Sequence, residues 1–557
     1  MGVDVSIRIG GEAGQGMQSI GFIIGKVFTR YGYYAFMNQD VESRIRGGHN
    51  SVQIRIKDEP VYAINNELSL LIALDRQTIT KDLPDLGKDG VMIFDGPKNK
   101  FKSDKPNHLS VPLEQIALEA AENKIMVNSV ATGAAFGLLG FDLQPLLDRL
   151  EEEFGAKGEK IVENNKRCAF AGYEYVSKNF QGPFAHKIPS VRLSKKKILI
   201  NGSQAMALGA ICSGLKFYSG YPMSPSTPIM EFIASMAQDY NIIVEPAEDE
   251  IAAINMAIGA SFAGVRAMTA TSGGGFCLMV EGLGLAGMTE TPLVIVNAQR
   301  PGPSTGLPTR TEQGDLRFVI HASHGEFPRA VFAPGNAEQA FYLMAKAFNL
   351  ADQYQTPVIV LGDQHLNDSY FTVDELDLTQ MEIERGSIVL DDRTSSAKDY
   401  KRYTWDDFGV SPRILPGQSE AVLYADSDEH TEAGHITESA EVRKQQMDKR
   451  MKKLEGVRQK MELPVIYPSE KSDIMILGWG STYGAIKEAV EIMNRDGLKT
   501  QMIHFSEIYP FPSKDLSGEI STDAKVIAVE TNYTGQFADL FKFETVIPIY
   551  HKILKYD

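Results

Sequence analysis

Three short apolar runs, each followed at once by a helical run, constrain the fold more than any other feature of the sequence. They begin at Val3, Lys197 and Asp473, and the first turns into its helix through the glycine-rich segment 10–16. Strands that alternate with helices form sheets covered by helices. At 557 residues the chain is also too long for one hydrophobic core. The sequence therefore predicts an α/β protein built of several domains.

These runs divide the chain into three α/β domains and one connector. Residues 1–185 are predicted to form a doubly wound sheet, because strand-like and helical runs continue to alternate along them. Residues 196–366 contain continuous apolar strands, which suit a parallel sheet buried on both faces. Residues 367–465 are acidic and rich in turn formers, apart from a helical basic run at 442–461 with Lys and Arg on several faces. We predict a connector or cap. Residues 466–557 form a third, smaller α/β domain.

Charge and hydropathy exclude several classes of protein. The formal net charge of −16 disfavours binding to nucleic acid or to an anionic membrane. No run approaches the roughly 20 apolar residues of a membrane-spanning helix, and the amino terminus lacks the pattern of a secretory signal. We therefore expect a cytoplasmic protein with no nucleic-acid partner and no membrane partner.

The chain is not expected to hold a metal. Its three cysteines, Cys168, Cys212 and Cys277, are widely spaced and form no CxxC motif, whereas an iron–sulfur cluster needs four thiolates. His430 and His435 lie close together in sequence, but no thiolate or clear third ligand is near them. A polar loop explains this pair better than a zinc site does.

The first glycine loop is a candidate phosphate site. Gly11, Gly14, Gln15 and Gly16 belong to the segment GGEAGQG, where a strand ends and a helix begins. Backbone N–H groups and the helix dipole attract an anion at such a point. The spacing differs from the dinucleotide-binding fingerprint, and a tight structural turn is an equal alternative.

A basic turn follows in the same domain. Arg44 and Arg46 stand in RIRGGHN, just before a strand. The two cations could reach further phosphates. A solvated basic turn is the alternative.

Two prolines flank a hydroxyl residue at a strand-to-helix turn in the second domain. The segment SGYPMSPST contains Tyr221, Met223 and Ser224. Proline fixes the backbone φ angle and so holds the Ser224 hydroxyl rigidly. A helix N-cap followed by a proline start would have the same pattern.

An acidic cluster leads into a helix of small residues at 252–263. The helix dipole explains Glu248 and Asp249. Glu250 immediately precedes the small residues that let a helix pack tightly beside a cofactor. We therefore single out Glu250 as the candidate catalytic carboxylate.

Two further strand ends carry candidate residues. Thr271 and Ser272 precede three glycines, with Gly274 in the middle, and such a loop lets the backbone approach a ring closely. Arg300 follows another strand, and a guanidinium suits two-point recognition of a carboxylate. Arg310, in the same loop, could meet a second carboxylate. An arginine on the surface is the alternative for Arg300.

Taken together, these motifs resemble the 2-oxoacid:ferredoxin oxidoreductases, in the form whose alpha subunit carries a fused gamma domain. The family segment usually reads YPITPSS, and Met223 and Ser224 replace its Ile and Thr. The resemblance covers nearly the whole chain. It implies a gamma-type domain that contacts coenzyme A at 1–185 and a pyrimidine-type thiamine diphosphate domain at 196–366. It also implies a transketolase C-terminal-like domain, with a structural and assembly role, at 466–557.

The resemblance also implies a role for each candidate residue. In such enzymes a carboxyl group hydrogen-bonds N1′ of the thiamine aminopyrimidine, and Glu250 matches that position. The other cofactor contacts that it implies are Thr271, Ser272 and Gly274. The contacts to the 2-oxoacid are Tyr221, Met223, Ser224, Arg300 and Arg310. The contacts to coenzyme A are Gly11, Gly14, Gln15, Gly16, Arg44 and Arg46.

Half of a thiamine site is missing from the sequence, because it lacks the G-D-G…N pattern that holds Mg²⁺ and diphosphate in thiamine enzymes. The resemblance therefore implies a separate beta subunit that carries this site and a 4Fe–4S cluster. Thiamine diphosphate would be shared between the subunits, in a dimer of alpha-beta heterodimers, and the chain would be active only with its partner.

The implied reaction is the oxidative decarboxylation of a 2-oxoacid with coenzyme A and ferredoxin, which could also run in reverse. The gamma fusion and YPMSPST favour 2-oxoglutarate, with succinyl-CoA as product. Two alternatives stay open: a transketolase-like thiamine transferase subunit, and a noncatalytic scaffold that binds coenzyme A.

Overall fold

The computed structural model describes residues 2–43, 47–192, 196–389, 400–419, 421–512, 516 and 524–556. It divides into two units, one of Met1–Ile200 with Asp368–Leu376 and one of Asn201–Asn367 with Asp377–Asp557. Helices and strands alternate along both units, so the predicted α/β class is confirmed.

The described residues form these strands: β1 (Asp4–Gly11), β2 (Tyr34–Asp40), β3 (Asn50–Lys57), β4 (Leu68–Ala73), β5 (Leu86–Phe94), β6 (His108–Ser110), β7 (Lys197–Asn201), β8 (Leu215–Gly220), β9 (Ile243–Pro246), β10 (Arg266–Thr271), β11 (Leu293–Gln299), β12 (Ala330–Phe332), β13 (Pro357–Asp363), β14 (Tyr370–Asp374), β15 (Val465–Tyr467), β16 (Ile474–Trp479), β17 (Thr500–Phe505), β18 (Glu507–Tyr509), β19 (Lys525–Glu530) and β20 (Ile549–Leu554).

They form these α-helices: α1 (Met17–Arg30), α2 (Arg76–Asp82), α3 (Gly96–Asn99), α4 (Leu113–Ala121), α5 (Val127–Leu139), α6 (Gln144–Phe154), α7 (Glu159–Asn179), α8 (Gly202–Cys212), α9 (Thr227–Tyr240), α10 (Glu250–Phe262), α11 (Gly273–Met288), α12 (Leu316–His321), α13 (Ala337–Tyr354), α14 (Gln364–Asp368), α15 (Ala440–Lys460), α16 (Tyr483–Arg495) and α17 (Gln536–Thr545).

The first unit is built on a mixed sheet with the strand order β6-β5-β4-β1-β3-β2-β14-β7. Strands β1, β4, β5 and β6 run parallel, whereas β3 is antiparallel to both β1 and β2. Alternate residues of β4 point to opposite faces: Leu70 and Ile72 pack with α1 and α5, and Leu71 and Ala73 pack with α2. Helices therefore cover both faces of the sheet.

The second unit contains a seven-stranded sheet with the order β18-β12-β13-β11-β10-β8-β9. Every neighbouring pair is parallel except β12 with β18. All residues of β10, β11 and β13 are buried, as expected for a parallel sheet covered on both faces. Because these strands run in one direction, the residues that follow β8, β10, β11 and β13 gather at one edge, here called the carboxyl edge.

The last part of the chain adds a five-stranded sheet with the order β15-β17-β16-β19-β20. Its buried Trp479 belongs to a hydrophobic cluster that also contains Phe276 of α11 and Leu316 of α12. Strand β18 comes from the same part of the chain but pairs with β12 of the seven-stranded sheet. The two sheets of this unit thus share a core and a strand pairing. The predicted boundaries at 185, 366 and 465 stay predictions.

Helix α15, in the predicted connector, is anchored by buried charges. The ammonium groups of Lys449 and Lys453 both donate to the carboxylate of Glu290, and all three side chains are buried. These cations hold the pKa of Glu290 well below its usual range, whereas burial lowers the pKa of Lys453 to about 7. The basic residues of this helix are therefore not all solvated, and they fix the connector to the end of α11.

Within the described part of the chain, we find no helix with the length and apolar character needed to cross a membrane.

Candidate active site

The predicted site residues of the second unit lie at the carboxyl edge of its parallel sheet. Strand β8 ends at Gly220, β10 at Thr271, β11 at Gln299 and β13 at Asp363. Parallel α/β sheets place their ligands at this edge. Motifs that are far apart in the sequence are therefore brought to one location in the structure.

The segment after β8 forms a tight turn before α9. Both the backbone N–H and the hydroxyl of Ser226 donate to the carbonyl of Met223, at 2.8 and 2.6 Å. Ser226 is buried, Met223 is half-buried, and Ser224 and Tyr221 are exposed. The turn thus presents the Ser224 and Tyr221 side chains to solvent at the carboxyl edge.

Arg300 meets this turn from the next loop. Its Nη1 donates to the backbone carbonyl of Ser224 at 2.8 Å. Burial lowers the pKa of the guanidinium, but an arginine in a protein keeps its charge. The structure therefore brings together two of the predicted substrate residues, and it fixes the cation beside the exposed hydroxyl.

Glu250 is the first residue of α10, and only 2% of its surface is exposed. The preceding Asp249 caps this helix, because its carboxylate accepts a hydrogen bond from the backbone N–H of Ala252 at 2.8 Å. Asp249 is thus a helix-capping acid. Glu250 instead points inward, with the Thr271 hydroxyl 3.4 Å from its Oε1.

Gly275, rather than Gly274, makes room for the buried carboxylate. A methyl group at Gly275 would collide with Oε1 of Glu250 and with the hydroxyl of Thr271, whereas the position at Gly274 is open, with the nearest atom 3.6 Å away. Sequence reasoning selected Gly274 and missed Gly275. Adjacent glycines look alike in a sequence, and only their surroundings distinguish them.

Replacing Gly275 with alanine is therefore expected to displace Glu250 and to lower the melting temperature by several degrees, since overpacking a core costs about 1–3 kcal/mol. The matched control is Gly259→Ala in α10, where nothing lies within 4 Å of the added methyl group. This control should be neutral or slightly stabilising. Thermal unfolding of both variants provides the measurement, and equal melting temperatures would contradict the assigned role of Gly275.

Two buried polar atoms beside the glycines have no hydrogen-bond partner among the described residues. They are the hydroxyl of Ser272 and Oδ1 of Asn297. Ser272 stands at the N-cap of α11 without capping it, and Asn297 is paired in register with Thr271. Buried polar groups usually have hydrogen-bond partners. These two atoms are therefore available to hydrogen-bond to a polar ligand or to an ordered water molecule.

The loop after Arg310 supplies residues that sequence reasoning missed. Thr311 donates to Asp363 at 3.3 Å, and Asn297 donates to Asp315 at 3.1 Å. Burial raises the pKa of Asp315. The acidic and amide residues that directly follow Arg310 in the sequence were the available signal. This loop therefore lines the carboxyl edge along with the predicted residues.

The glycine loop of the first unit begins α1. Gly16 is the N-cap in a left-handed conformation with a φ of 75°, and no side chain caps the helix. The side-chain amide oxygen of Gln15 accepts a hydrogen bond from the backbone N–H of Glu12 at 3.0 Å. At Gly14 the space is open, whereas a side chain at Gly16 would collide with Asn128. The loop therefore leaves the amino end of α1 open to an anion.

Asn128, at the start of α5, was missed by sequence reasoning because it is distant in the sequence from the loop that it touches. Arg44 and Arg46, the other two predicted coenzyme A contacts, lie outside the described residues.

No group of three or more His, Cys, Asp or Glu side chains is arranged to hold a metal ion in the described ranges.

Comparison with protein families gives three matches along the chain. Residues 6–175 match the model described as pyruvate ferredoxin/flavodoxin oxidoreductase. Residues 208–449 match the thiamine diphosphate-binding model of pyruvate flavodoxin/ferredoxin oxidoreductase. Residues 472–543 match core domain II of pyruvate:ferredoxin oxidoreductase.

Individual proteins match over nearly the full length. The alpha subunit of a Sulfolobus 2-oxoacid:ferredoxin oxidoreductase is 35% identical, over 99% of this chain and 94% of its own. The 2-oxoglutarate oxidoreductase subunit KorA of Mycobacterium tuberculosis is 27% identical, over 98% and 88%. A solved structure is that of the Magnetococcus marinus 2-oxoglutarate:ferredoxin oxidoreductase with 2-oxoglutarate, coenzyme A and succinyl-CoA bound. It superimposes with a TM-score of 0.92 at 31% identity, over 99% of this chain and 96% of that one.

Proposed function

The chain belongs to the 2-oxoacid:ferredoxin oxidoreductase family as an alpha subunit, and we propose that it converts 2-oxoglutarate and coenzyme A to succinyl-CoA and CO₂, with transfer of electrons to ferredoxin. The choice of 2-oxoglutarate is supported by the ligands of the Magnetococcus structure and by the name of the mycobacterial relative. The same chemistry can run in reverse.

The observation that carries this proposal is the buried Glu250 carboxylate beside Gly275. The residues are compatible with an aminopyrimidine ring, since the Glu250 carboxylate is buried, the space beside Gly274 is open, and the Ser272 hydroxyl has no partner among the described residues. Thiamine diphosphate held by these residues would supply a carbon nucleophile for the keto group of the substrate. In our proposal Glu250 holds a proton at N1′ of the ring, and Thr271, Ser272 and Gly274 line the ring site.

Arg300 and Ser224 are proposed to hold the carboxylate of the 2-oxoacid next to this pocket. The bond from Arg300 to the Ser224 carbonyl fixes the guanidinium, and a fixed cation positions the substrate for attack. Tyr221 and Met223, on the same turn, would contact the rest of the substrate. Arg310 is proposed for the second carboxylate of 2-oxoglutarate.

Replacing Arg300 with alanine should lower kcat/KM for 2-oxoglutarate by about 10- to 150-fold, the equivalent of the about 1.5–3 kcal/mol of a hydrogen bond to a charged group. The control is Arg317→Ala, which removes an exposed arginine paired with Asp539 and should have little effect. Steady-state kinetics of the assembled enzyme provides the measurement. An unchanged kcat/KM for the Arg300 variant would remove this residue from the substrate site.

Coenzyme A is proposed to contact the first unit through the loop of Gly11, Gly14, Gln15 and Gly16. The open amino end of α1 supports this proposal, because unpaired N–H groups and the helix dipole favour a phosphate. Arg44 and Arg46 are proposed to contribute further contacts.

A beta subunit is proposed to bring the other half of the thiamine site. It would carry the Mg²⁺ ion that holds the diphosphate and a 4Fe–4S cluster that passes electrons to ferredoxin, in a dimer of alpha-beta heterodimers. The cysteines of this chain support that division, because Cys168 is buried, Cys212 is half-buried and Cys277 is exposed, and three thiols fall short of the four that a cluster requires.

The test is to co-express the chain with a candidate beta subunit and to assay a panel of 2-oxoacids with coenzyme A and a low-potential electron acceptor. We expect 2-oxoglutarate to give the highest kcat/KM and succinyl-CoA to form. Ketol transfer without reduction of the acceptor would instead indicate a transketolase-like transferase. A complex that binds coenzyme A but no thiamine diphosphate would indicate a scaffold.

A further inference from the structure

A short segment, Thr311–Asp315, connects the carboxyl edge to the last part of the chain. At its centre, Gln313 is buried and uses all of its polar groups. Its backbone N–H donates to Thr531 at 2.7 Å, and its side-chain amide donates to the carbonyl of Trp479 at 2.9 Å. Its two oxygens accept from Thr531 at 3.1 Å and from Asn532 at 3.2 Å. The five-stranded sheet thus fixes the position of this segment.

Asp315, at the end of the segment, occupies the N-cap position of α12 but does not cap that helix. Aspartate is among the preferred capping residues. Its carboxyl group instead accepts a hydrogen bond from Asn297 at 3.1 Å, and a methyl group at Gly273 would collide with it. The side chain is therefore directed at the start of α11.

The glycine turn at the start of α11 consequently has a carboxyl group at each end. Asp315 occupies the space beside Gly273, and Glu250 occupies the space beside Gly275. A side chain added at either glycine would have to displace one of these carboxyl groups. A shift of Asp315 would therefore move the backbone that contacts Glu250.

The surroundings of Asp315 make its carboxyl group harder to ionise than an exposed aspartate. Burial raises the pKa of this carboxyl, and the hydrogen bond from Asn297 only partly opposes the effect. The titratable groups that interact with it are Glu312, in its own loop, and Cys277, on α11, and Asp315 raises the pKa of both. No cation of the described chain pairs with it. Ionisation of Asp315 would place a second negative charge beside the glycine turn.

We propose that Asp315 is a positioning residue for Glu250: its carboxyl group, held in place through Gln313, fixes the glycine turn, and its ionisation sets the charge beside the catalytic carboxylate. This inference rests on the proposed thiamine site. It gives the five-stranded sheet a role in the reaction centre beyond assembly.

The test compares Asp315→Asn and Asp315→Ala in the assembled alpha-beta complex. The first measurement is the exchange rate of the thiamine C2 proton in D₂O as a function of pH. In the wild type we expect the rate to fall about fivefold to tenfold as Asp315 ionises above the ordinary aspartate range, a size typical of two carboxylates that interact in a partly buried site. Asp315→Asn should lack this step, because an amide of the same shape does not ionise.

The second measurement is the dissociation constant of thiamine diphosphate by calorimetry. Asp315→Asn should stay within about twofold of the wild type, whereas Asp315→Ala should weaken binding about tenfold, because the cavity beside Gly273 lets the turn relax. The control is Asp539→Asn, the same substitution at an exposed carboxylate elsewhere in the same unit, which should change neither quantity.

The third measurement is thermal stability against pH, which needs no cofactor. Because the pKa of Asp315 is raised in the folded state, that state binds more protons than the unfolded chain between the two pKa values. Stability should therefore fall as pH rises through this window. The Asp315→Asn variant should not show this decrease in stability.

Three results would overturn the inference. An unchanged pH step in Asp315→Asn would exclude the charge effect, and thiamine binding of wild-type strength in Asp315→Ala would exclude the positioning role. If the wild-type complex binds no thiamine diphosphate, the proposed function fails and this inference fails with it. Wild-type binding combined with variants that match the wild type in every measurement would refute this inference alone.

Discussion

Replacing Glu250 with glutamine is expected to lower kcat for 2-oxoglutarate by about 10²–10⁴-fold, the contribution typical of a positioned acid-base group. Glutamine keeps the size of the side chain, so it should fit between Gly275 and Thr271 as glutamate does. What it loses is the ability to take up and release the proton that we assign to N1′ of the ring. The measurement is single-turnover decarboxylation by the assembled complex.

The control for this variant is Glu248→Gln, which alters a carboxylate in the same acidic cluster that is exposed rather than buried. It should keep the wild-type rate. The glutamine variant at position 250 should also keep the wild-type melting temperature to within a few degrees, so that a loss of rate is not a loss of fold. Decarboxylation at the wild-type rate by the Glu250 variant would remove this residue from the proton relay.

The sequence predicted Glu250 because its signal is local. An acid that immediately precedes a helix of small residues is visible in a few consecutive letters, and the helix begins at that residue in the structure. The strands β10, β11 and β13 could be predicted for the same reason. A strand buried on both faces is a continuous apolar run, without alternating polar residues. Local patterns thus sufficed for the α/β class and for the strand ends of the carboxyl edge.

Other features depend on contacts between distant residues and could not be read in this way. The antiparallel direction of β3 depends on its pairing with β1 and β2, which strand-like composition does not reveal. Gly275 differs from Gly274 only through the carboxylate opposite it. Asp315 follows a predicted substrate residue closely, but its role depends on where Gly273 and Asn297 lie. Each required the folded arrangement of several strands.

The burial of charged residues on α15 is another feature that local sequence patterns could not predict. In the sequence, lysines spread over several faces of a helix indicate solvent on all sides. In the structure Lys449 and Lys453 are buried, and both pair with the buried carboxylate of Glu290, which follows α11. The helix could be recognised from the sequence. Which of its faces is buried could not be predicted, because that depends on the position of one distant carboxylate.

Replacing Glu290 with glutamine is expected to lower the free energy of unfolding of the second unit by about 3–5 kcal/mol, the cost of leaving buried charges without their partner. Among the described residues, Glu290 supplies the one carboxylate to which Lys449 and Lys453 donate. Without it, they must either lose their protons or open the structure. The two tryptophans, Trp405 and Trp479, both belong to this unit. Their fluorescence during denaturation by urea provides the measurement.

A control variant tests the size of this loss of stability, and its pH dependence tests the role of the buried lysines. Asp539→Asn breaks exposed ion pairs with Arg317 and Lys552 in the same unit and should cost less than about 1 kcal/mol. The pKa of Lys453 is lowered in the folded state to about 7 from an ordinary 10.5, so the unfolded chain binds more protons between these values. Stability should therefore rise with pH across that range, and Lys453→Met should reduce the rise, leaving the part that comes from Lys449, whose pKa burial also lowers. A Glu290 variant as stable as the Asp539 variant would show that water reaches the lysines and that the network does not anchor the connector.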